Sequence, residues 1–268
     1  MFNLLRMDLY RMRRSRSAYV CLGILFLTTL ASYILLWLLA TPQGQETAIR
    51  IGMMTAEETQ ESLSMLEGMD TLTMFRNINL DGGAYCITFG IWVILFVCMD
   101  YRSGFLKNIM ALYQNRWVYV GSKLLAAALL NILYLISNFL FVVLLNALFG
   151  NMVPQAGLGD VLFYMAWAWI LTTAFGGLML LICVCTRSTA AGTFAAVLLG
   201  GGSVVSMVQG ILSMFHAGDW LNYSIYMMLS NGPSRYTGLQ DLKVFAVGAG
   251  FLVLYSALAG WIMKKQDI

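Results

Sequence analysis

Six long apolar runs, almost free of charged residues, constrain this chain more than any other feature of its sequence. A helix needs about 20 consecutive, mostly apolar residues to cross the hydrocarbon core of a bilayer. The runs approach or exceed that length, at about 18–40, 83–99, 124–149, 161–185, 189–214 and 244–263. Only 11% of the residues are charged, against about 25% in a typical soluble domain. The sequence therefore predicts an all-α, polytopic membrane protein with six transmembrane helices.

The remaining segments divide one membrane domain, 1–268, into short connections. We expect an interfacial helix at 1–17, an outer loop at 41–82, an inner loop at 100–123 and an outer loop at 215–241. The run at 18–40 exceeds the apolar region of a signal peptide, about 7–15 residues long, so we expect it to be retained as the first span. Three consecutive glycines at 200–202 predict a kink or a close helix contact in the fifth span.

Basic residues favour one orientation of the six spans. With the N-terminus in the cytoplasm, the inner segments hold 12 of the 16 Lys and Arg residues, and only 3 of the 13 acidic residues. Inner loops of membrane proteins carry an excess of Lys and Arg. We therefore expect both termini to be cytoplasmic and the protein to be a multi-pass protein of the plasma membrane.

The N-terminal segment predicts a basic amphipathic helix. Its apolar residues recur at helical spacing and share one face: Phe2, Leu5, Leu9 and Met12. Such a helix lies in the membrane interface with its arginines near anionic lipid. A simple anchor that obeys the inside-positive rule is the other interpretation.

Residue types that carry catalysis are scarce in the spans. Every acidic residue lies in a loop or at the end of a span, and the chain has a single histidine, His216, to which we assign no role. The five cysteines lie in or beside apolar runs and fit small helix residues better than metal ligands. No G-x-x-x-x-G-K-[ST] motif is present for binding ATP phosphates. We expect no enzyme activity, no catalytic or metal site, no bound cofactor and no nucleic-acid partner.

The inner loop at 100–123 is the most informative segment. An acidic residue, Asp100, closes the second span, and Gly104 follows four residues later. A short helix comes next, whose apolar residues are Phe105, Leu106, Ile109, Met110 and Leu112. Such a helix docks into the groove of a partner protein, or it lies on the lipid surface.

This loop resembles the first cytoplasmic loop of ABC-2 type transporter permeases. The resemblance rests on Asp100, Gly104, Lys107-Asn108, Arg116 and Ser122-Lys123-Leu124. The basic N-terminal helix and the six-span layout agree with it, and the overall character is similar to bacterial antimicrobial-peptide immunity and export permeases. Phe105 departs from the family pattern, in which a small hydroxyl residue often follows the glycine.

The resemblance implies a coupling helix that sits in a groove of a separate P-loop ATPase, which binds the ATP. The implied coupling residues are Asp100, Gly104, Phe105, Leu106, Lys107, Asn108, Ile109, Met110, Leu112 and Arg116, with Arg187 in a second, smaller contact. Two permease copies, or one copy and a sister permease, would export an amphipathic or hydrophobic cargo such as an antimicrobial peptide, a lipid or a drug. A non-transporting membrane sensor or immunity protein shares the same topology and is the alternative.

Polar residues also recur along one face of the third span. Asn131, Tyr134, Asn138 and Asn146 fall within an arc of roughly 120° at helical periodicity. Polar side chains at membrane depth face protein or a cavity. They line a translocation path or a dimer seam, or they make ordinary hydrogen bonds between helices.

The outer loops differ in character. The loop at 41–82 is acidic, and Thr55 with Glu58 forms a capping box for a short helix that Gly68 would end. We expect a solvated helix; steering of cationic peptides is the other interpretation. The aromatic loop at 215–241 is expected to lie in the membrane interface.

Overall fold

The computed structural model describes residues 2–50, 68–112, 115–213 and 218–266, and within these ranges it is helical without a β-strand. The α-helices are α1 (Phe2–Arg14), α2 (Arg16–Ala40), α3 (Pro42–Arg50), α4 (Thr71–Phe75), α5 (Ala84–Arg102), α6 (Phe105–Leu112), α7 (Arg116–Leu148), α8 (Leu158–Thr186), α9 (Thr189–Gly200), α10 (Ser203–Ser213), α11 (Ile225–Asn231) and α12 (Lys243–Lys265). A π-helical turn, Arg76–Asp81, follows α4.

Five of the described helices are long and apolar enough to cross a membrane: α2, α5, α7, α8 and α12. The pair α9 and α10 qualifies as a sixth span only when counted together, because it is bent by 55°. The prediction of a helical protein with several membrane spans is confirmed, with five or six candidates among the described residues. The orientation of the termini stays a prediction.

The bend between α9 and α10 lies at the three glycines that predicted a kink. Gly202 has a φ of +71°, and a side chain there would collide with the ring of Tyr226. Gly83, at the start of α5, has a φ of +70°, and a Cβ atom on it would strike the carbonyl oxygen of Gly200. Glycine adopts positive φ without the steric penalty of a Cβ atom. The structure therefore has both expected features, a kink and a close contact.

The bundle is centred on α5 and α8. Both helices bury 67% of their most apolar window inside the chain, whereas α2 buries 22% and α12 buries 17%. Large aromatic side chains fill the centre, and Trp92 of α5 and Trp167 of α8 are fully buried. Because α2 and α12 leave most of their apolar surface uncovered, they form the outside of the bundle.

The segment at 70–81, which follows the predicted acidic helix in the sequence, is buried. Leu72, Phe75 and Asn79 have no exposed surface. Asp70 caps α4 by accepting a hydrogen bond from the backbone of Thr73 at 2.8 Å. The segment is buried because its apolar residues pack into the bundle and its polar groups find partners there. Residues Thr55 and Glu58 lie outside the described residues.

The segment between α10 and α12 also contacts the bundle. Ile225 and Leu229 of α11 are buried in the main core, and the Tyr226 hydroxyl donates to the Asp81 carbonyl at 2.8 Å. These contacts place α11 over the π-helical turn. Residue His216 lies outside the described residues.

Candidate functional site

A buried cluster of charged side chains joins three helices at the end of the bundle where α1 lies. Asp8 of α1, Asp100 of α5 and Lys123 of α7 have fully buried side chains. The Lys123 ammonium lies 2.6 Å from Asp8 Oδ1 and 2.7 Å from Asp100 Oδ2. One lysine therefore bridges two carboxylates that belong to different helices.

A second cation completes the cluster. Arg11 of α1 places Nη1 2.8 Å from Asp100 Oδ1, outside hydrogen-bond geometry, so this contact is mainly coulombic. The two carboxylates and two cations balance in charge. The Tyr119 hydroxyl donates to Asp100 at 3.0 Å, and the Ser122 hydroxyl donates to Asp8 at 2.9 Å.

An aromatic ring lies beside each cation. The Lys123 ammonium lies 4.1 Å from the centre of the Phe96 ring, and the Arg11 guanidinium lies 4.6 Å from the centre of the Phe105 ring. A cation over an aromatic face is attracted by the quadrupole of the ring. Phe105 is the first residue of α6, so the cluster also contacts the short loop helix.

The cluster is informative because burying charge is costly. Removing charges from water costs several kcal/mol per ion, which close pairing and hydrogen bonds offset. Lys123 is held between two carboxylates, and each carboxylate has an additional hydroxyl donor. The structure thus holds α1, α5 and α7 in one fixed arrangement.

Sequence reasoning did not predict this cluster, although it named two of its four members. Asp100 and Lys123 belong to the loop motif, but Asp8 and Arg11 were counted only as charges of the N-terminal segment. The available signal was the spacing of Asp8, which lies four residues from Leu4 and four from Met12 and so shares a helical face with them. All three residues are buried on that face of α1.

The face of α1 that packs against the bundle differs from the apolar face that was predicted to lie in the membrane interface. Leu4, Asp8 and Met12 are buried in the chain, whereas Phe2 is 82% exposed. Leu5 and Leu9 are partly buried against the core. On the buried face, the Asp8 carboxylate pairs with Lys123 of α7.

The apolar face of the loop helix α6 was predicted to face a partner protein or lipid, but part of this face packs against the chain itself. Leu106 is 2% exposed and Ile109 is 3% exposed, and both belong to the core of the chain itself. Phe105 and Met110 are partly buried against the same core. The chain itself therefore covers Leu106 and Ile109, and the coupling role of these two residues stays a prediction.

The opposite face of α6 is accessible. Gly104, Lys107, Asn108 and Ala111 are exposed. Gly104 has a φ of +69°, and a Cβ atom on it would meet nothing within 4 Å. The side chain of Leu112 lies outside what the structure describes. A partner at this end of the bundle would meet a polar surface with one positive charge on α6.

The two arginines of the implied coupling set have different environments. The Arg116 guanidinium donates to the backbone carbonyls of Met263, Lys264 and Gln266 and so holds the end of α12. Arg187 is exposed at the end of α8, in the left-handed region with a φ of +52°. Arg116 therefore has a structural partner, whereas Arg187 faces outward.

The polar stripe of α7 is buried inside the chain. Asn131 donates to Thr172 and Thr173 of α8 at 2.8 and 2.9 Å. It also accepts from the Tyr85 hydroxyl at 2.7 Å. These bonds join α7 to α5 and α8.

The rest of the stripe bonds in the same way. Asn138 donates to Asn79 at 2.7 Å and accepts from Thr29. The Tyr134 hydroxyl donates to the Ala18 carbonyl of α2. Asn146 bonds the backbone of Val153 in the segment that follows α7. The hydrogen bonds between helices that the second interpretation describes are thus present at Asn131, Tyr134 and Asn138.

Metal ligands do not cluster in the described part of the chain, where no group of three or more His, Cys, Asp or Glu side chains is placed to hold an ion. The thiols of Cys98 and Cys183 lie 3.2 Å apart inside the bundle.

Compared with models of known protein families and with curated proteins, the chain matched none.

Proposed function

We propose that this protein is the membrane subunit of an ABC-type exporter, which a separate P-loop ATPase drives through the exposed face of α6. The observation that carries the proposal is the attachment of α6. One face of this short helix is fixed in the bundle, and the opposite face presents Lys107 and Asn108 outward.

A path for mechanical coupling supports this proposal. Phe105 at the start of α6 contacts Arg11, which pairs with Asp100 at the end of α5. Lys123 extends the cluster to α7. Packed side chains and ion pairs transmit displacement between sites when they move as a rigid unit. A partner that pushes α6 would thus move α1, α5 and α7 together.

The charge of the exposed surface indicates the kind of partner groove. Lys107, Arg102 and Arg187 are all exposed near the ends of α5, α6 and α8. Charged surfaces of opposite sign favour association and set its register. We expect the partner groove to be acidic.

The proposal retains the architecture that the family resemblance implies. The transport unit contains two permease copies, or one copy with a sister permease, in the plasma membrane with both termini in the cytoplasm. The cargo is amphipathic or hydrophobic, such as an antimicrobial peptide, a lipid or a drug.

The first test is purification of the tagged chain from its native cells in mild detergent, with mass spectrometry of the proteins that accompany it. A stoichiometric P-loop ATPase is the expected result. Its absence from an intact and abundant preparation would contradict the proposal and favour the alternative, a non-transporting membrane sensor or immunity protein.

The second test maps the contact. Leu106 and Ile109 are unsuitable because a charge there would disrupt the core. Lys107→Glu changes an exposed residue and should abolish the stimulation of ATP turnover by the permease, at unchanged thermal stability. Lys264→Glu is the matched control, because it makes the same charge change on an exposed residue at the end of α12. Equal ATP turnover in the two variants would contradict the contact through α6.

A further inference from the structure

A groove runs between α1, α2 and α7 on the side of the bundle. It has a volume of about 420 Å³. Its walls include Met12 of α1, Leu22 of α2, and Leu130 and Leu133 of α7. The groove is separate from the exposed face of α6 and plays no part in the proposed ATPase contact.

The groove extends from the level of α1 into the depth of the spans. Along α7 it reaches from Leu130 to Ser137, a rise of roughly 10 Å at 1.5 Å per residue. The polar groups in its walls already have partners. The Tyr134 hydroxyl donates to the Ala18 carbonyl, and the Ser137 hydroxyl donates to the Tyr134 carbonyl at 3.2 Å. The walls therefore suit a hydrocarbon chain better than a polar ligand.

The rim of the groove carries one cation, Arg13. Arg11 on the same helix is paired with Asp100, and Arg14 lies over the Tyr10 ring. No carboxylate of the described part of the chain forms an ion pair with Arg13, which is exposed.

The backbone at Arg13 is held in place at this rim. The Tyr19 hydroxyl, whose side chain also lines the groove, donates to the Arg13 carbonyl at 2.9 Å. Arg14 and Arg16 are exposed beside it, and Asp8, the one carboxylate on α1, is buried and paired with Lys123. The mouth of the groove is therefore positive while its interior is apolar.

We propose that the groove binds one acyl chain of an anionic phospholipid, whose phosphate group is held by Arg13. Positive side chains next to a membrane span attract anionic lipid headgroups, and a guanidinium matches the geometry of a phosphate. The apolar walls take the hydrocarbon chain, which distinguishes a phospholipid from free phosphate. This site would fix α1 to α2 and α7 from the lipid side.

Native mass spectrometry of the detergent-purified protein tests the site, with dioleoylphosphatidylglycerol and dioleoylphosphatidylcholine added separately. We expect the protein to retain one molecule of dioleoylphosphatidylglycerol about fivefold more than dioleoylphosphatidylcholine. This is the preference expected for one arginine near an anionic surface. Arg13→Gln should remove this preference. Arg6→Gln is the matched control, because Arg6 is exposed on the same face of α1 but does not line the groove.

A second pair of variants tests the hydrocarbon part. Leu133→Trp fills the groove at a residue that is 62% exposed, and Leu140→Trp adds the same bulk two turns further along α7 at a residue that is 59% exposed. Leu133→Trp should lose the bound lipid and Leu140→Trp should keep it. The proposal would be overturned if the wild-type protein retained the two lipids equally, or if the two variants of either matched pair gave the same result. Full displacement of the lipid by inorganic phosphate would also overturn it.

Discussion

Replacement of Lys123 by methionine tests the central structural feature of this protein, the buried ion cluster. Methionine retains an unbranched apolar stem but removes the ammonium that lies 2.6 Å from Asp8 and 2.7 Å from Asp100. Arg11 still faces Asp100. Asp8 keeps only the Ser122 hydroxyl among its described partners, so one carboxylate is left buried without a cation.

The expected loss of stability follows from that uncompensated charge. Removing one partner of a buried ion pair typically costs about 3–5 kcal/mol. For domains of 150–250 residues, each kcal/mol lowers Tm by roughly 2–4 °C. We therefore expect the Tm of Lys123→Met to fall by roughly 6–20 °C.

The cysteines of the chain provide a suitable assay. Cys21, Cys86, Cys98 and Cys183 are buried, and Cys185 is exposed. A maleimide dye that fluoresces on reaction with thiols would report unfolding in detergent as the buried cysteines become accessible. Cys185→Ala provides the background that removes the signal of the folded state.

Two further variants make the result decisive. Lys107→Met removes an exposed lysine and should change stability by less than about 0.5 kcal/mol. Asp8→Asn combined with Lys123→Met restores neutrality around the remaining Arg11–Asp100 pair and should recover part of the loss. If Lys123→Met melts at the temperature of Lys107→Met, the inference that the cluster stabilises the fold is refuted.

Two further predictions concern backbone strain and pH. Gly83→Ala should destabilise the protein by about 1–3 kcal/mol, because the φ of Gly83 is positive and the new Cβ atom would meet Gly200. Gly82→Ala is the control and should not destabilise the protein, because a Cβ atom at Gly82 would meet nothing within 4 Å. Equal melting temperatures of the two variants would contradict this reasoning. Burial alone would raise the pKa of Asp70, but hydrogen bonds from Thr73 and the pairing with Arg235 outweigh it, so the pKa lies below its ordinary value of 3.8. The stabilisation from a lowered pKa is present above the ordinary pKa and is lost as pH falls through the folded one. The Tm difference between wild type and Asp70→Asn should therefore be largest near neutral pH and shrink below pH 3.8. A Tm difference that does not change with pH would show that the ionised Asp70 carboxylate does not contribute this stabilisation.

Periodicity identified the short loop helix but not what covers its apolar face. The spacing of Leu106 and Ile109 is the same whether a partner, lipid or the chain itself covers them. The burial of Asn79 was hidden from the sequence for a related reason. A local pattern counts Asn79 as solvated, yet it is buried because its side-chain oxygen accepts from Asn138 at 2.7 Å and its side-chain nitrogen donates to the Phe75 carbonyl at 3.3 Å. Local patterns thus show that a side chain needs a partner without showing which one.

The ion cluster shows the same limit at greater distance. The motif reasoning placed Asp100 and Lys123 in one loop, close in sequence. The pairing of Lys123 with Asp8 spans 115 residues, and no spacing rule relates residues that far apart. Asp8 became part of the candidate site only when α1 was seen to pack against α7.

The sequence by itself determined that this chain is helical and has the apolar length to cross a membrane several times. That follows from local physics, because a segment in hydrocarbon must satisfy its backbone hydrogen bonds within itself, and a helix does so. Only the tertiary structure decided which face of each helix is covered, how the charges of Asp8, Asp100 and Lys123 meet, and where the groove beside Arg13 lies. Those features arise from contacts between distant segments, whose energies depend on the arrangement of all the helices together.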